Sequence, residues 1–66
     1  MRIVLNGEPR EAEPTCSLAQ LVAELQLPLT GAALVLNGEV VERSAFVSTL
    51  LRDGDAVEVV RLVGGG

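Results

Sequence analysis

The sequence predicts an α+β protein in which about five strands form one mixed sheet that packs on one main helix. Two features of the 66-residue chain predict this fold. Asn-Gly pairs, which favour tight β-hairpin turns, follow two short apolar runs, at Asn6-Gly7 and at Asn37-Gly38. Between these hairpins, apolar residues recur at the spacing of an amphipathic helix. A chain of this length forms one domain with a small core.

The first hairpin and the helix occupy the N-terminal half of the chain. A β-branched run at residues 2–6 is followed by a weak returning strand at residues 9–13, which Pro9 and Pro14 restrict to a sheet edge or make short. Ser17 begins the helix, because its side chain and that of Gln20 form a capping box. Pro28 ends it, since proline disfavours helical geometry in the preceding residue. Four apolar residues form one helix face: Leu18, Leu21, Val22 and Leu25.

The second hairpin and a last strand are predicted in the C-terminal half. Residues 33–37 and 39–42 form the hairpin, and residues 43–51 form an irregular connection or a single helical turn. After a turn around Gly54, residues 56–62 form the last strand. Glu58 and Arg61 in this strand predict that it is half covered or lies near an edge.

The order hairpin, helix, hairpin, strand predicts a β-grasp fold, with the first and last strands parallel at the centre of the sheet. The sequence divides into a β-grasp domain at residues 1–63 and a flexible glycine tail at residues 64–66.

The composition argues against an enzyme. The chain has no His, no Lys and one Cys. Neither a Ser-His-Asp nor a Cys-His arrangement can be built from it, and neither can a zinc site. Histidine is also the usual general base near neutral pH. We therefore expect neither a bound cofactor nor a metal ion.

Charge, aromatic content, hydropathy and cysteine count argue against a nucleic-acid-binding protein, a membrane-spanning protein and a disulfide-stapled secreted domain. A net charge of −4 and a pI near 4.5 oppose binding to phosphate backbones, and the single aromatic residue, Phe46, offers bases little to stack on. The longest uncharged stretch, residues 25–38, is too short to span a bilayer. One unpaired Cys argues against a disulfide-stapled secreted domain. We expect a soluble, cytoplasmic protein that is monomeric in isolation.

Three glycines, Gly64, Gly65 and Gly66, follow the last strand, and no folding argument requires them. A disordered end is the ordinary structural interpretation. A functional interpretation rests on the same physics, since a tail without Cβ atoms can thread through a narrow channel. Such a tail would present the α-carboxylate of Gly66 to the active site of another protein.

Several segments together resemble the ThiS family, the ubiquitin-like sulfur carriers of thiamine biosynthesis. They are Asn6-Gly7-Glu8, the capped helix, residues 32–38, residues 53–60 and the terminal Gly-Gly. The resemblance covers the chain from Met1 to Gly66. It departs from the family at Val41-Glu42-Arg43, where Val-Pro-Arg is common; Glu42 in place of proline loosens the backbone of this connection, which concerns local loop geometry and not function.

The resemblance implies a route for sulfur. A partner related to ubiquitin-activating enzymes would adenylate the carboxylate of Gly66 with ATP and Mg²⁺. Sulfur from a cysteine desulfurase system would then displace AMP, and the resulting thiocarboxylate would supply the thiazole ring at thiazole synthase. Three alternatives share the fold and the tail: a sulfur carrier for molybdopterin or tRNA thiolation, a protein modifier attached to lysines, and an interaction module with a merely disordered tail.

The remaining notable residues are interpreted as structural. Cys16 precedes the helix, where a thiolate is favoured, but with no cation nearby we expect a small filler of the first turn. Asp53 and Asp55 are explained by turn chemistry. Three arginines are expected to be solvated surface: Arg43, Arg52 and Arg61. Three apolar residues are expected to close the far end of the core: Phe46, Leu50 and Leu51.

Overall fold

A five-stranded mixed sheet and one α-helix are present in the computed structural model, which describes residues 1–61. The strands lie in the order β2-β1-β5-β3-β4, where β1 and β5 are parallel and all other neighbours are antiparallel. This arrangement confirms the predicted β-grasp fold, with the first and last strands side by side. The elements are β1 (Arg2–Leu5), β2 (Glu8–Glu11), α1 (Leu18–Leu25), β3 (Ala32–Leu36), β4 (Glu39–Val41), a 3₁₀ turn (Arg43–Ala45) and β5 (Ala56–Arg61).

The position of β2 in the sheet was predicted correctly, whereas one expectation for the position of the last strand was wrong. Strand β2 is an exposed edge strand of four residues, as expected from Pro9, which lacks a backbone donor. The suggestion that the last strand lies near an edge is wrong, because β5 lies between β1 and β3. It is half covered, as expected: Val57 is fully buried while its neighbour Glu58 is exposed. Glu58 therefore lies on the open face of a central strand, whereas Arg61 lies on the same face as Val57 and is exposed.

Helix α1 begins as predicted and ends earlier than expected. The Ser17 hydroxyl accepts a hydrogen bond from the Gln20 backbone N–H at 3.1 Å, and the Ser17 N–H donates to Gln20 Oε1 at 2.9 Å. This is the predicted capping box. The helix ends at Leu25, because Gln26, two residues before Pro28, adopts a left-handed conformation with φ 50°.

The segment between the 3₁₀ turn and the last strand satisfies the first amides of the helix. The Leu18 N–H donates to the Thr49 carbonyl at 2.9 Å, and the Ala19 N–H donates to the Phe46 carbonyl at 3.2 Å. These are two of the donors that a helix leaves without internal partners. The segment at residues 43–51, for which the sequence predicted an irregular connection or a single helical turn, is thus held in place by its hydrogen bonds to the helix.

The core lies between α1 and the inner face of the sheet. Phe46 and Leu51 are buried in it, as predicted, but Leu50 is 61% exposed and the expectation for this residue is wrong. Pairing of the Leu51 N–H with the Cys16 carbonyl turns the Leu51 side chain inward and leaves its neighbour outside. The buried apolar residues are Ile3, Leu5, Cys16, Leu18, Leu21, Leu34, Phe46, Leu51 and Val57.

The departure from the family pattern at Glu42 does not change the backbone conformation expected there. Glu42 has φ −69° and ψ 148°, and its φ lies within the range that a proline ring imposes. A proline and a glutamate therefore both fit this position. The predicted tail, Gly64, Gly65 and Gly66, lies outside the described residues, as does residue 62 of the predicted last strand. The division at residue 63 stays a prediction.

Candidate functional site

The candidate site is the base of the predicted tail, where the described structure ends at Arg61. Arg61 is the last residue of β5 and lies opposite Ala32 of β3. Strand β3 pairs with β5 at every position from Val57 to Arg61. Strand β1 pairs with β5 only at Ala56 and Val57, so at Arg61 the described neighbour of β5 is β3.

Two asparagines, one from each hairpin, fix β5 from opposite sides. The Asn6 N–H donates to the Val57 carbonyl at 2.9 Å, and Asn6 Oδ1 accepts from the Val59 N–H at 2.9 Å. On the other side of β5, the Asn37 N–H donates to the Ala56 carbonyl at 2.8 Å, and Asn37 Oδ1 accepts from the Ala56 N–H at 2.9 Å. The side-chain oxygen of each asparagine thus adds one hydrogen bond to the ladder between its own strand and β5.

Sequence reasoning identified these asparagines as turn residues and missed this second role. Both have positive φ, 50° at Asn6 and 49° at Asn37, as a two-residue hairpin turn requires. A signal was present, because each asparagine directly follows one of the two strands that the predicted topology places beside the last strand. The side-chain acceptor then reaches a backbone donor that the ended strand leaves unpaired.

Asp53 and Asp55 are turn residues at the start of β5, as predicted. Asp53 Oδ1 accepts from the Arg2 N–H at 2.8 Å. Asp55 Oδ2 accepts from the Arg52 N–H at 2.8 Å, and its Oδ1 accepts from Asn37 Nδ2 at 3.0 Å. Both carboxylates are used in closing the sheet, so they do not form a paired catalytic site.

Cys16 fills the first turn of the helix, in agreement with its interpretation as a structural residue. It is 3% exposed, and its Sγ donates to the Ser17 carbonyl at 3.3 Å. Burial raises the pKa of the Cys16 thiol, and the charges of Glu24 and Glu13 raise it further. The thiol is therefore neutral at pH 7, which disfavours a role as nucleophile.

The three arginines do not form one patch. Arg61 and Arg52 are both exposed, and they lie near opposite ends of β5, because Arg52 precedes the turn that leads into the strand. Arg43 follows β4 at the same end of the sheet as Arg61, and its Nη2 donates to the Leu29 carbonyl. Solvated surface remains the interpretation of Arg52 and Arg61.

Exposed apolar side chains lie in two places. Val40 and Val60 are 69% and 41% exposed on the face of the sheet opposite the core, while Val47 and Leu50 lie on the segment that caps the helix. The sequence reasoning expected no large exposed apolar face. The predicted monomeric state is not tested by this observation and stays a prediction.

Within residues 1–61 the structure contains no cluster of three or more potential metal ligands and no pocket. In the same range, no helix is long and apolar enough to cross a membrane.

Comparison with known proteins gives one consistent result. Residues 3–66 match the family model described as the ThiS family. A sulfur carrier protein ThiS from Thermus thermophilus is 44% identical over 62 residues, which cover 94% of this chain and 95% of the relative. The crystal structure of a thiamine biosynthesis protein (ThiS) from Geobacter metallireducens superposes with a TM-score of 0.88 at 36% identity, covering 100% of both chains.

Two further relatives are much longer than this chain. Thiazole synthases from Paramagnetospirillum magneticum and Magnetococcus marinus are 33% and 38% identical to it over 66 residues. The chain spans 20% of the length of each of these proteins. In both, a segment similar to the whole of this chain is thus part of a polypeptide named for another activity.

Proposed function

Since this chain belongs to the ThiS family, we propose that it is a sulfur carrier that supplies the thiazole ring of thiamine from a thiocarboxylate on Gly66. The observation that carries the proposal is the match to the family model, which extends through Gly66. Gly66 follows Arg61, the last described residue of the central strand β5, by five positions in the sequence. The Thermus thermophilus relative is named as a carrier and not as an enzyme, in agreement with the lack of His and Lys.

The proposed chemistry has two steps, both in partner proteins. First, a carboxylate oxygen of Gly66 attacks the α-phosphorus of ATP, pyrophosphate leaves, and a mixed anhydride with AMP is formed. Mg²⁺ in the partner neutralises the developing phosphate charge. Second, a thiol reductant releases hydrosulfide from the persulfide of a cysteine desulfurase system and is itself oxidised to a disulfide. The hydrosulfide attacks the carbonyl carbon, AMP leaves with the electron pair, the proton passes to solvent, and the thiocarboxylate remains.

The chain contributes reach and placement to these steps. Five residues follow Arg61, and covalent geometry limits their span to about 17 Å. A partner that acts on Gly66 must therefore bind close to the end of β5. Glycine at Gly64, Gly65 and Gly66 removes the side chains that would obstruct a narrow channel.

We further propose thiazole synthase as the recipient of the sulfur. Two thiazole synthases contain a segment similar to this chain, which places a related carrier sequence and the synthase in one polypeptide. Adenylation is assigned to an enzyme related to ubiquitin-activating enzymes. The reactions are proposed to occur in the cytoplasm.

Intact mass spectrometry tests the proposal directly. The chain is incubated with ATP, Mg²⁺, the adenylating enzyme of its own source and a sulfide source. We expect a mass gain equal to the exchange of one oxygen for one sulfur, located in the C-terminal peptide. The gain should be absent from a variant that lacks Gly66.

A Cys16→Ala variant is the control for sulfur bound elsewhere. A persulfide on Cys16 would add a whole sulfur atom without loss of oxygen, so the two masses differ, and the variant should be modified as well as the parent chain. An unchanged mass with an enzyme active on another carrier would contradict the proposal. A covalent conjugate with another protein would instead indicate a protein modifier.

A further inference from the structure

Strand β1 covers only the first part of β5. The two strands pair at Val4–Ala56 and Leu5–Val57 and no further, whereas β3 accompanies β5 on its other side as far as Arg61. The last residues of the central strand therefore have a described neighbour on one side only.

The alternation of the strand identifies the backbone groups that face the uncovered side. The Val57 carbonyl and the Val59 N–H point toward β1, since both bond to Asn6. The next groups on this side are the Val59 carbonyl and the Arg61 N–H. Within residues 1–61 neither group has a hydrogen-bond partner.

The chain's own first hairpin leaves this space uncovered. After Asn6 and Gly7 the backbone turns away from β5 into β2, which lies on the far side of β1. We call the space beside residues 59–61, beyond Asn6, the open lane. Asn6, Gly7 and Arg61, which border the lane, are exposed, so an incoming backbone can reach it.

We propose that an extended segment of the enzyme that acts on Gly66 pairs with β5 in the open lane. Its N–H would donate to the Val59 carbonyl, and its C=O would accept from the Arg61 N–H. The inference rests on the proposed carrier function. An unpaired strand edge is a template for such pairing, which gives affinity through the main chain and does not depend on side chains.

The position of the lane supports this occupant over others. It lies at the last described residues of β5, and Gly66 is at most about 17 Å away along the backbone. Any enzyme with Gly66 in its active site therefore contacts this region. Pairing at Val59 and Arg61 would set the register of the tail and hence the depth to which Gly66 enters that site.

A pair of synthetic chains that differ by one N–H tests the proposal. One carries Arg61→Ala, and the other carries lactic acid at position 61, which replaces the amide by an ester. The ester removes the Arg61 N–H and also weakens the Val60 carbonyl, which lies beside β3, as an acceptor, so the thermal unfolding midpoints of the two chains are compared as a control. We expect the ester to raise the KM for adenylation about three- to tenfold relative to Arg61→Ala, the size of one net hydrogen bond. Equal KM values for two folded chains, with matching thermal unfolding midpoints, would overturn the proposal.

Amide exchange on the unmodified chain gives an answer that does not depend on the ester variant folding. The Arg61 amide should exchange rapidly in the free protein and become protected in the complex with the adenylating enzyme. The Val59 amide, which already bonds to Asn6, serves as the internal control and should be protected in both states. Binding without protection of Arg61 would exclude pairing in the open lane.

The two proposals fail in different ways. If the unmodified chain gains sulfur on Gly66 while the ester and Arg61→Ala react alike, the carrier function stands and the lane proposal is wrong. If the unmodified chain neither binds the enzyme nor gains sulfur, the carrier function fails, and the lane proposal falls with it.

Discussion

Asn6 and Asn37 both occupy turn positions with positive φ, and the side-chain oxygen of each accepts a hydrogen bond from the central strand. They differ in whether the side-chain NH2 group has a partner. Asn37 Nδ2 donates to Asp55 Oδ1 at 3.0 Å, whereas no hydrogen bond from Asn6 Nδ2 is present within residues 1–61. The amide of Asn37 is therefore needed as a donor as well as an acceptor. At Asn6 the acceptor alone is used.

This difference predicts that an Asn→Asp substitution lowers the free energy of unfolding at position 37 but hardly changes it at position 6. Asn6→Asp keeps an acceptor for the Val59 N–H and should change the free energy of unfolding by less than about 0.5 kcal/mol. Asn37→Asp replaces a donor by a carboxylate facing Asp55 and should cost about 1–2 kcal/mol at pH 7. Urea unfolding of both variants measures these costs.

The cost at Asn37 should also depend on pH in a known direction. Repulsion between two carboxylates disappears when either takes up a proton, so the folded variant binds protons more tightly than its unfolded chain. Stability of Asn37→Asp relative to the parent should therefore rise as the pH falls toward about 4. A cost that is the same at pH 7 and pH 4 would show that lost geometry, and not charge, is responsible.

At the scale of elements, helix α1 depends on contacts beyond its own hydrogen bonds. It has eight residues, and isolated helices of that length are marginal in water. Its first turn is held by the capping box and by the carbonyls of Phe46 and Thr49. The segment at residues 43–51 thus adds order to the helix although it has little regular structure itself.

The capping box predicts a contrast between two substitutions at Gln20. Gln20→Ala removes the acceptor for the Ser17 N–H and should lower the free energy of unfolding by about 0.5–1 kcal/mol. Gln20→Glu keeps the acceptor and adds a negative charge near the helix N-terminus, so it should be neutral or stabilising. Thermal unfolding at low salt measures both. Equal destabilisation by the two variants would contradict a role for the side-chain acceptor.

At the scale of the whole molecule, the small core makes stability sensitive to a few residues. Domains of this size have a free energy of unfolding of roughly 3–10 kcal/mol, by the usual value per residue. Among residues 1–61 the core contains nine buried apolar residues, four of which are essentially inaccessible to solvent: Ile3, Leu18, Leu34 and Val57. One large cavity can therefore remove much of the total stability.

Two leucines of different burial provide a matched test of this point. Leu34→Ala empties a site that is 1% exposed and should cost about 2–5 kcal/mol, enough to leave a substantial fraction of the chain unfolded. Leu50→Ala truncates a side chain that is 61% exposed and should change stability by less than about 0.5 kcal/mol. Urea unfolding midpoints distinguish them. A large cost at Leu50 would indicate packing that the structure does not contain.

Most of the fold was predictable, because its signals are local. Asn-Gly turns, the Ser17–Gln20 cap and the periodicity of the helix each depend on residues within a few positions of one another. The family resemblance carried by these segments was confirmed along almost the entire chain. The structural interpretation of Cys16 followed from the lack of a neighbouring cation, and its burial agrees with it.

The sequence by itself determined the elements, their order and the glycine tail, since spacing and composition encode them. Only the tertiary structure decided that β5 is held by asparagines from two hairpins and that Leu50 faces solvent. The physical reason is separation along the chain: Asn6 and Val59 are 53 residues apart, and no local pattern reports which backbone donor a side chain will meet. The open lane beside Arg61 arises in the same way, from where one strand stops and another continues.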